Sequence, residues 1–124
     1  MTFIEPNVDT AFFLLRIVVA IIFLAHGPGK LQNTKAEAEA MGLRSTMTML
    51  VGALETLGAA SLILGLWVQA SALVLAGIMI GAIYFKTQKW DKNFTGPGGW
   101  EFDFLLLAAS LAIALGAPTT YSLL

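Results

Sequence analysis

The sequence predicts an all-α membrane protein, with four transmembrane helices in an antiparallel up-and-down bundle and a short interfacial helix in the first loop. Three observations predict it. Hydrophobic residues make up 57% of the 124 residues and charged residues 12%, against roughly 45 to 50% and about 25% in soluble chains. The mean hydropathy is +0.79. Four apolar stretches approach the roughly 20 residues that an α-helix needs to cross the hydrocarbon layer. These stretches are continuous rather than alternating, and a spanning segment must satisfy its backbone polar groups internally, so helices are expected rather than strands.

The expected spans are residues 10–25, 46–66, 69–85 and 100–117, within one domain covering residues 1–124. The first is not expected to be a cleaved leader, because Glu5 and Asp9 precede it without any Lys or Arg. In the connection HGPGKLQNTKAEAEAMGLRS, Pro28 and its flanking glycines are expected to end the helix, and TKAEAEAM to form the short interfacial helix. A tight turn near WVQ joins the second and third spans. In KTQKWDKNFTGPGG, Pro and Gly stop the third span before the fourth begins. No solenoid-length repeat and no interdomain linker is evident.

Orientation follows from the basic residues. Apart from Arg16 they fall in two loops, as Lys30, Lys35 and Arg44, then Lys86, Lys89 and Lys92. By the positive-inside rule loops 26–45 and 86–99 face the cytoplasm and both termini face outward from the cell (inner or plasma) membrane. Trp67, Trp90 and Trp100 stand at expected span ends, where indole rings favour the headgroup layer.

The composition also excludes functions. A net charge of −1 without a basic run argues against nucleic-acid binding. With no Cys and a single His, the chain has no thiolate ligands, no bis-histidine haem and no expected metal site.

Two charges fall inside apolar runs, Arg16 in the first span and Glu55 within VGALETLGA of the second. Each costs roughly 2.5 to 3.5 kcal/mol at a span centre on insertion scales, so each is expected to face the bundle interior. Counted from the cytoplasmic ends of the expected spans, both lie roughly 14 Å deep at about 1.5 Å per residue, so they are expected to pair. The pair has two readings, an ion pair that only fixes helix register, and the floor of a polar pocket that holds a ligand head. Gly52, Gly58 and Ala59 flank Glu55 at helical spacing, and Gly77 and Gly81 form a GxxxG pattern in the third span; these glycines are expected to serve helix packing. A second polar group is expected at the cytoplasmic mouth, with His26 and Lys30 from AHGPGKL and Glu101 and Asp103 from GPGGWEFDF. The acids there also suit the positive end of a helix dipole, and Lys30 could simply snorkel.

Together these segments resemble the DoxX family of small four-helix membrane proteins over nearly the whole chain. Arg16 with AHGPGKL, MGL with VGALETLGAASLILGL, GGWEF and the closing GAPTTYSLL carry the resemblance in order and spacing. It implies an integral membrane protein of a family described as oxidoreductase subunits and named after a small component of a quinone-linked complex, and it matches Arg16, His26, Gly27, Lys30, Glu55, Gly99 and Glu101. Asp103 departs from it, since an apolar or proline-like residue is expected there.

The leading expectation is therefore a membrane subunit of a quinone-linked oxidoreductase system, binding a quinone or another apolar ligand between helices. Arg16 would contact the ligand head, Glu55 would orient Arg16 or exchange a proton, and His26 with Glu101 would connect to the cytoplasm. No cofactor belongs to the chain itself, so a redox partner subunit or a partner-borne flavin would pass the electrons. The lipid bilayer and a homo-oligomer complete the expected partners. A proton-coupled small-molecule transporter is the first alternative, although such small exporters use an acid in the first span. A structural or assembly subunit without chemistry is the second.

Overall fold

The computed structural model describes residues 7–42, 44–96 and 99–116. Among these every regular element is helical: α1 Val8–Gln32, α2 Thr34–Met41, α3 Ser45–Leu64, α4 Val68–Tyr84 and α5 Glu101–Gly116. A π-helical turn, Phe85–Lys89, extends α4 directly. The end of the fourth expected span at residue 117, the GAPTTYSLL segment beyond Gly116, and both chain ends lie outside the described residues.

α1 begins where the Asn7 side chain accepts the Thr10 amide at 3.0 Å, with Asp9 in the positive first turn. It does not stop at Pro28. Proline removes one helical donor, but its fixed φ is compatible with helix, and spanning helices tolerate such residues where neighbours support them. α1 consequently runs 25 residues, and the expected break after residue 25 is corrected. α2 matches TKAEAEAM, and its Thr34 hydroxyl donates to the Lys30 carbonyl at 2.6 Å, tying it to the end of α1. It closes at Gly42, whose φ of 67° is one a glycine adopts without a Cβ clash. α3 ends in the same way at Gly65, and with Trp67 at φ 44° the chain reverses within three residues into α4.

α1 packs most extensively on α3 and α4 on α5, while lighter contacts of α3 with α4 and of α1 with α5 close the ring. Their common core is small and apolar, with Ala20 and Phe23 meeting Leu62, Leu75, Leu106 and Ile113. Large apolar side chains also cover the outer faces, for example Ile21, Leu57, Ile80 and Leu105. An apolar exterior around an apolar core suits a lipid solvent. Three helical segments, Val8–Gln32, Ser45–Leu64 and Val68–Lys89, are long and apolar enough to cross a membrane.

Candidate functional site

The site begins with two glycines. A Cβ on Gly27 would lie 2.6 Å from Thr56 Oγ1 and 3.0 Å from the Thr56 amide nitrogen; one on Gly52 would lie 2.7 Å from Lys30 Cβ and 3.0 Å from the Gly27 carbonyl. Without side chains at these points the backbones of α1 and α3 approach closely, as small residues permit between membrane helices. One turn beyond Gly27, Lys30 is thereby held over α3, and its Nζ stands 2.9 Å from Glu55 Oε1. Glu55 is 3% exposed.

A second ion pair is built by different means. In the π-helical turn the Trp90 amide donates to the Phe85 carbonyl at 2.8 Å, and the Lys92 amide donates to the Lys86 carbonyl at 2.7 Å. The wider turn sets Lys86 over the start of α5, with Nζ 2.6 Å from Asp103 Oδ2 and 3.4 Å from the Gly99 carbonyl, to which it donates. The loop before α5 is fixed from both sides. The Trp100 and Glu101 amides donate to the Asn93 and Phe94 carbonyls, and the Phe94 and Trp100 rings meet edge to face at 4.5 Å. Gly99 has no room for a side chain, since a Cβ there would fall 2.6 Å from the Phe94 carbonyl oxygen.

Both carboxylate oxygens, Glu55 Oε1 and Asp103 Oδ2, are buried without a well-angled hydrogen bond, so the ammonium at ion-pair distance supplies their compensation. The two pairs face one cleft of about 650 Å³. Its polar members are His26, Lys30, Thr48, Glu55, Lys86 and Asp103, and its walls are otherwise apolar, with Phe23, Leu54, Phe85, Trp90 and Leu106 among them. Phe85 and Trp90 stack with ring centroids 5.9 Å apart. Thr48 is fully buried, and its hydroxyl has no hydrogen-bond partner.

Of the residues singled out in the sequence, His26, Lys30, Glu55 and Asp103 meet at this cleft, whereas Arg16 and Glu101 do not border it. The ion partner of Glu55 is Lys30 rather than Arg16. Because α1 continues through Pro28, the residue of α1 level with Glu55 is Gly27, and Arg16 stands about 16 Å away along the helix at about 1.5 Å per residue. Arg16 is buried at that other level, its guanidinium 5.1 Å from the Phe13 ring centroid. Glu101 is exposed in the first turn of α5.

The glycines also divide. Gly52 and Gly58 lie in tight contact, Gly58 with a would-be Cβ 3.1 Å from Leu75. Gly77 and Gly81 would meet nothing within 4 Å inside this chain and line the cleft instead, so their GxxxG pattern packs no helix of the same chain. Sequence reasoning missed Lys86, Thr48 and Trp90 as members of the site. Lys86 had a signal, being the first cation after an apolar run, but it reads equally well as an orientation marker. Among the described residues no group of three or more His, Cys, Asp or Glu could hold a metal ion.

The family model described as DoxX matches residues 11–87, from α1 through the Lys86 turn. The chain is 35% identical over 114 residues to a protein of Bacillus subtilis (strain 168) named "Putative oxidoreductase CatD", a match covering 90% of this chain and 82% of that protein. No solved structure matches the chain.

Proposed function

The chain belongs to the DoxX family, and on that premise we propose that it is the membrane subunit of an oxidoreductase system, holding a quinone or another apolar ligand in the cleft. The observation that carries this reading is the pairing of Lys30 with Glu55 and of Lys86 with Asp103 on the wall of an otherwise apolar cleft. A largely apolar concavity with a few placed polar groups is the usual form of a small-molecule site, and its volume lies within the roughly 300 to 1,000 Å³ range of such sites. Ionisable residues at membrane depth commonly mark a ligand or proton path. The name of the Bacillus relative points the same way.

In this reading α1, α3, α4 with its π-helical turn, and α5 make four crossings in antiparallel order. α5 spans about 24 Å at about 1.5 Å per residue over its 16 residues, a shortfall that local bilayer thinning accommodates. Lys30, Lys35 and Arg44 fall between the last turn of α1 and the start of α3, and Lys86, Lys89 and Lys92 after α4, a distribution that supports a topology with these two connections in the cytoplasm and the termini outside a cell membrane. The chain has no Cys and one His, so electrons would come from a partner subunit or a flavin that it carries. Lys30 and Lys86 would donate to the ligand's carbonyl oxygens, and Glu55 and Asp103 would hold those ammonium groups in place or receive a proton.

The test is a titration of the purified chain in nanodiscs with a short-chain benzoquinone, followed by indole fluorescence, since Trp90 borders the cleft. Saturable quenching that Lys86→Met and Glu55→Gln weaken is expected. Absence of quenching in the native chain rules a quinone out as the ligand. A second reading, a subunit whose charges only fix packing, is favoured by the close α1–α3 approach at Gly27 and Gly52 beside the Lys30 pair. Replacing both Lys30 and Glu55 by apolar residues separates the two, because a pure packing role predicts a folded protein with its cellular phenotype retained.

A further inference from the structure

Among the glycines of the long helices, Gly27, Gly52, Gly58 and Gly116 are pressed against neighbours, whereas Gly29, Gly77 and Gly81 meet nothing within 4 Å of a would-be Cβ. Of these three, Gly77 and Gly81, one turn apart on one face of α4, border the cleft. Glycine is a poor residue for a helix interior. No close approach and no positive φ accounts for it here, and its remaining effect is to leave α4 flat along the cleft. A second observation comes from the opposite wall. Thr48, fully buried on α3 and among the residues bordering the same cleft, has a hydroxyl without a hydrogen-bond partner, two turns from Glu55 on the same helical face.

The charges restrict what fits. Each ammonium bordering the cleft is matched by a carboxylate at 2.9 or 2.6 Å. A carboxylate or ammonium head entering here would have to break one of these pairs or stay uncompensated in an apolar surround, which is strongly unfavourable. An uncharged head need not. An ammonium has three donors, so Lys30 and Lys86 can each keep a carboxylate and still donate to a neutral oxygen. The Thr48 hydroxyl supplies one more donor or acceptor.

Resting on the reading of the cleft as an apolar-ligand site, we propose that its ligand is a neutral amphiphile, with an uncharged oxygen-bearing head between Thr48 and the two ion pairs and a hydrocarbon chain lying along α4 over Gly81 and Gly77. The helix sets the spacing, with Gly81 about 8 Å and Gly77 about 14 Å from Lys86 along α4. The chain thus runs away from the loop end toward the middle of the span. Gly77 and Gly81 fix how bulky that chain can be, and the balanced charges fix the head as neutral.

The experiment uses the full chain in nanodiscs and three probes with the same saturated sixteen-carbon chain, a primary alcohol, a carboxylate and a quaternary ammonium, with bound probe counted by native mass spectrometry. The alcohol is expected to bind best. Gly81→Leu and, independently, Gly77→Leu are expected to weaken it about tenfold by filling the groove, with unfolding temperatures unchanged or raised, because each site has open space and leucine favours helix over glycine. Thr48→Val is expected to weaken the alcohol and leave a plain alkane of the same length unaffected. Tighter binding of the carboxylate or the ammonium overturns the neutral-head assignment. Native affinity in both leucine variants, with the alcohol still bound in the cleft, overturns the chain path while the cleft remains a ligand site. If no probe and no benzoquinone binds the native chain, the cleft reading falls and this inference falls with it.

Discussion

Lys30 and Glu55 stand 2.9 Å apart across two helices whose backbones touch at Gly27 and Gly52, so the ion pair and the helix contact are one joint. Removing one member leaves a buried charge uncompensated, whereas removing both removes the desolvation cost as well. Glu55→Ala is expected to destabilise the protein by about 3 kcal/mol. The double variant Lys30→Met with Glu55→Leu is expected to cost less than that single change. Thermal unfolding in detergent, read by circular dichroism, measures both, and a double variant weaker than Glu55→Ala would contradict the pairing.

The Lys86–Asp103 pair joins the π-helical turn to α5 and also reaches the Gly99 carbonyl. Asp103→Asn should therefore loosen the loop that leads into α5. Hydrogen exchange at the Trp100 and Glu101 amides, which are bonded to Asn93 and Phe94, is expected to quicken, while amides in the middle of α3 keep their rates. Unchanged exchange at both loop amides would mean that the aromatic cluster alone holds the loop.

The two kinds of glycine predict opposite responses to one methyl group. Gly27→Ala places a Cβ 2.6 Å from Thr56 Oγ1 and 3.0 Å from a backbone nitrogen that cannot yield, and should cost about 1 to 3 kcal/mol. Gly77→Ala meets open space and should be neutral or stabilise by up to about 1 kcal/mol through helix propensity. Unfolding temperatures of the two variants side by side decide the matter.

At the other end of the bundle the Gln69 side chain donates to the Ala114 carbonyl at 3.0 Å, linking the first turn of α4 to the last turn of α5. Gln69→Leu is expected to cost about 1 kcal/mol or less, as interhelical hydrogen bonds in membranes generally do. A loss of several kcal/mol in the same unfolding assay would show that this bond carries more of the α4–α5 contact than its type suggests.

The helical class and the approximate segments were legible because apolar runs of spanning length have few other uses. The site was legible in part. His26, Lys30, Glu55 and Asp103 stand out as polar residues in or beside apolar runs. Their pairing was misread through one local rule, that proline ends a helix. Moving the end of α1 from Ala25 to Gln32 shifts every level along it, so that Gly27 rather than Arg16 faces Glu55. Lys86 was hidden for another reason. A π-helical turn depends on how the chain leaves α4, and no periodicity in KTQKW announces it. The Gly77 and Gly81 pattern is the same string whether a helix or a hollow lies against it, and only the neighbouring helices distinguish the two.

The two lysines of the cleft are each matched by a carboxylate, so its two ion pairs carry no net charge. An uncharged guest settling there carries nothing through the electric field of an energised bilayer, which is worth about 2.3 kcal/mol per elementary charge for every 100 mV. Its binding equilibrium should accordingly not shift with the membrane potential, and would follow how much of the guest is dissolved in the surrounding lipid.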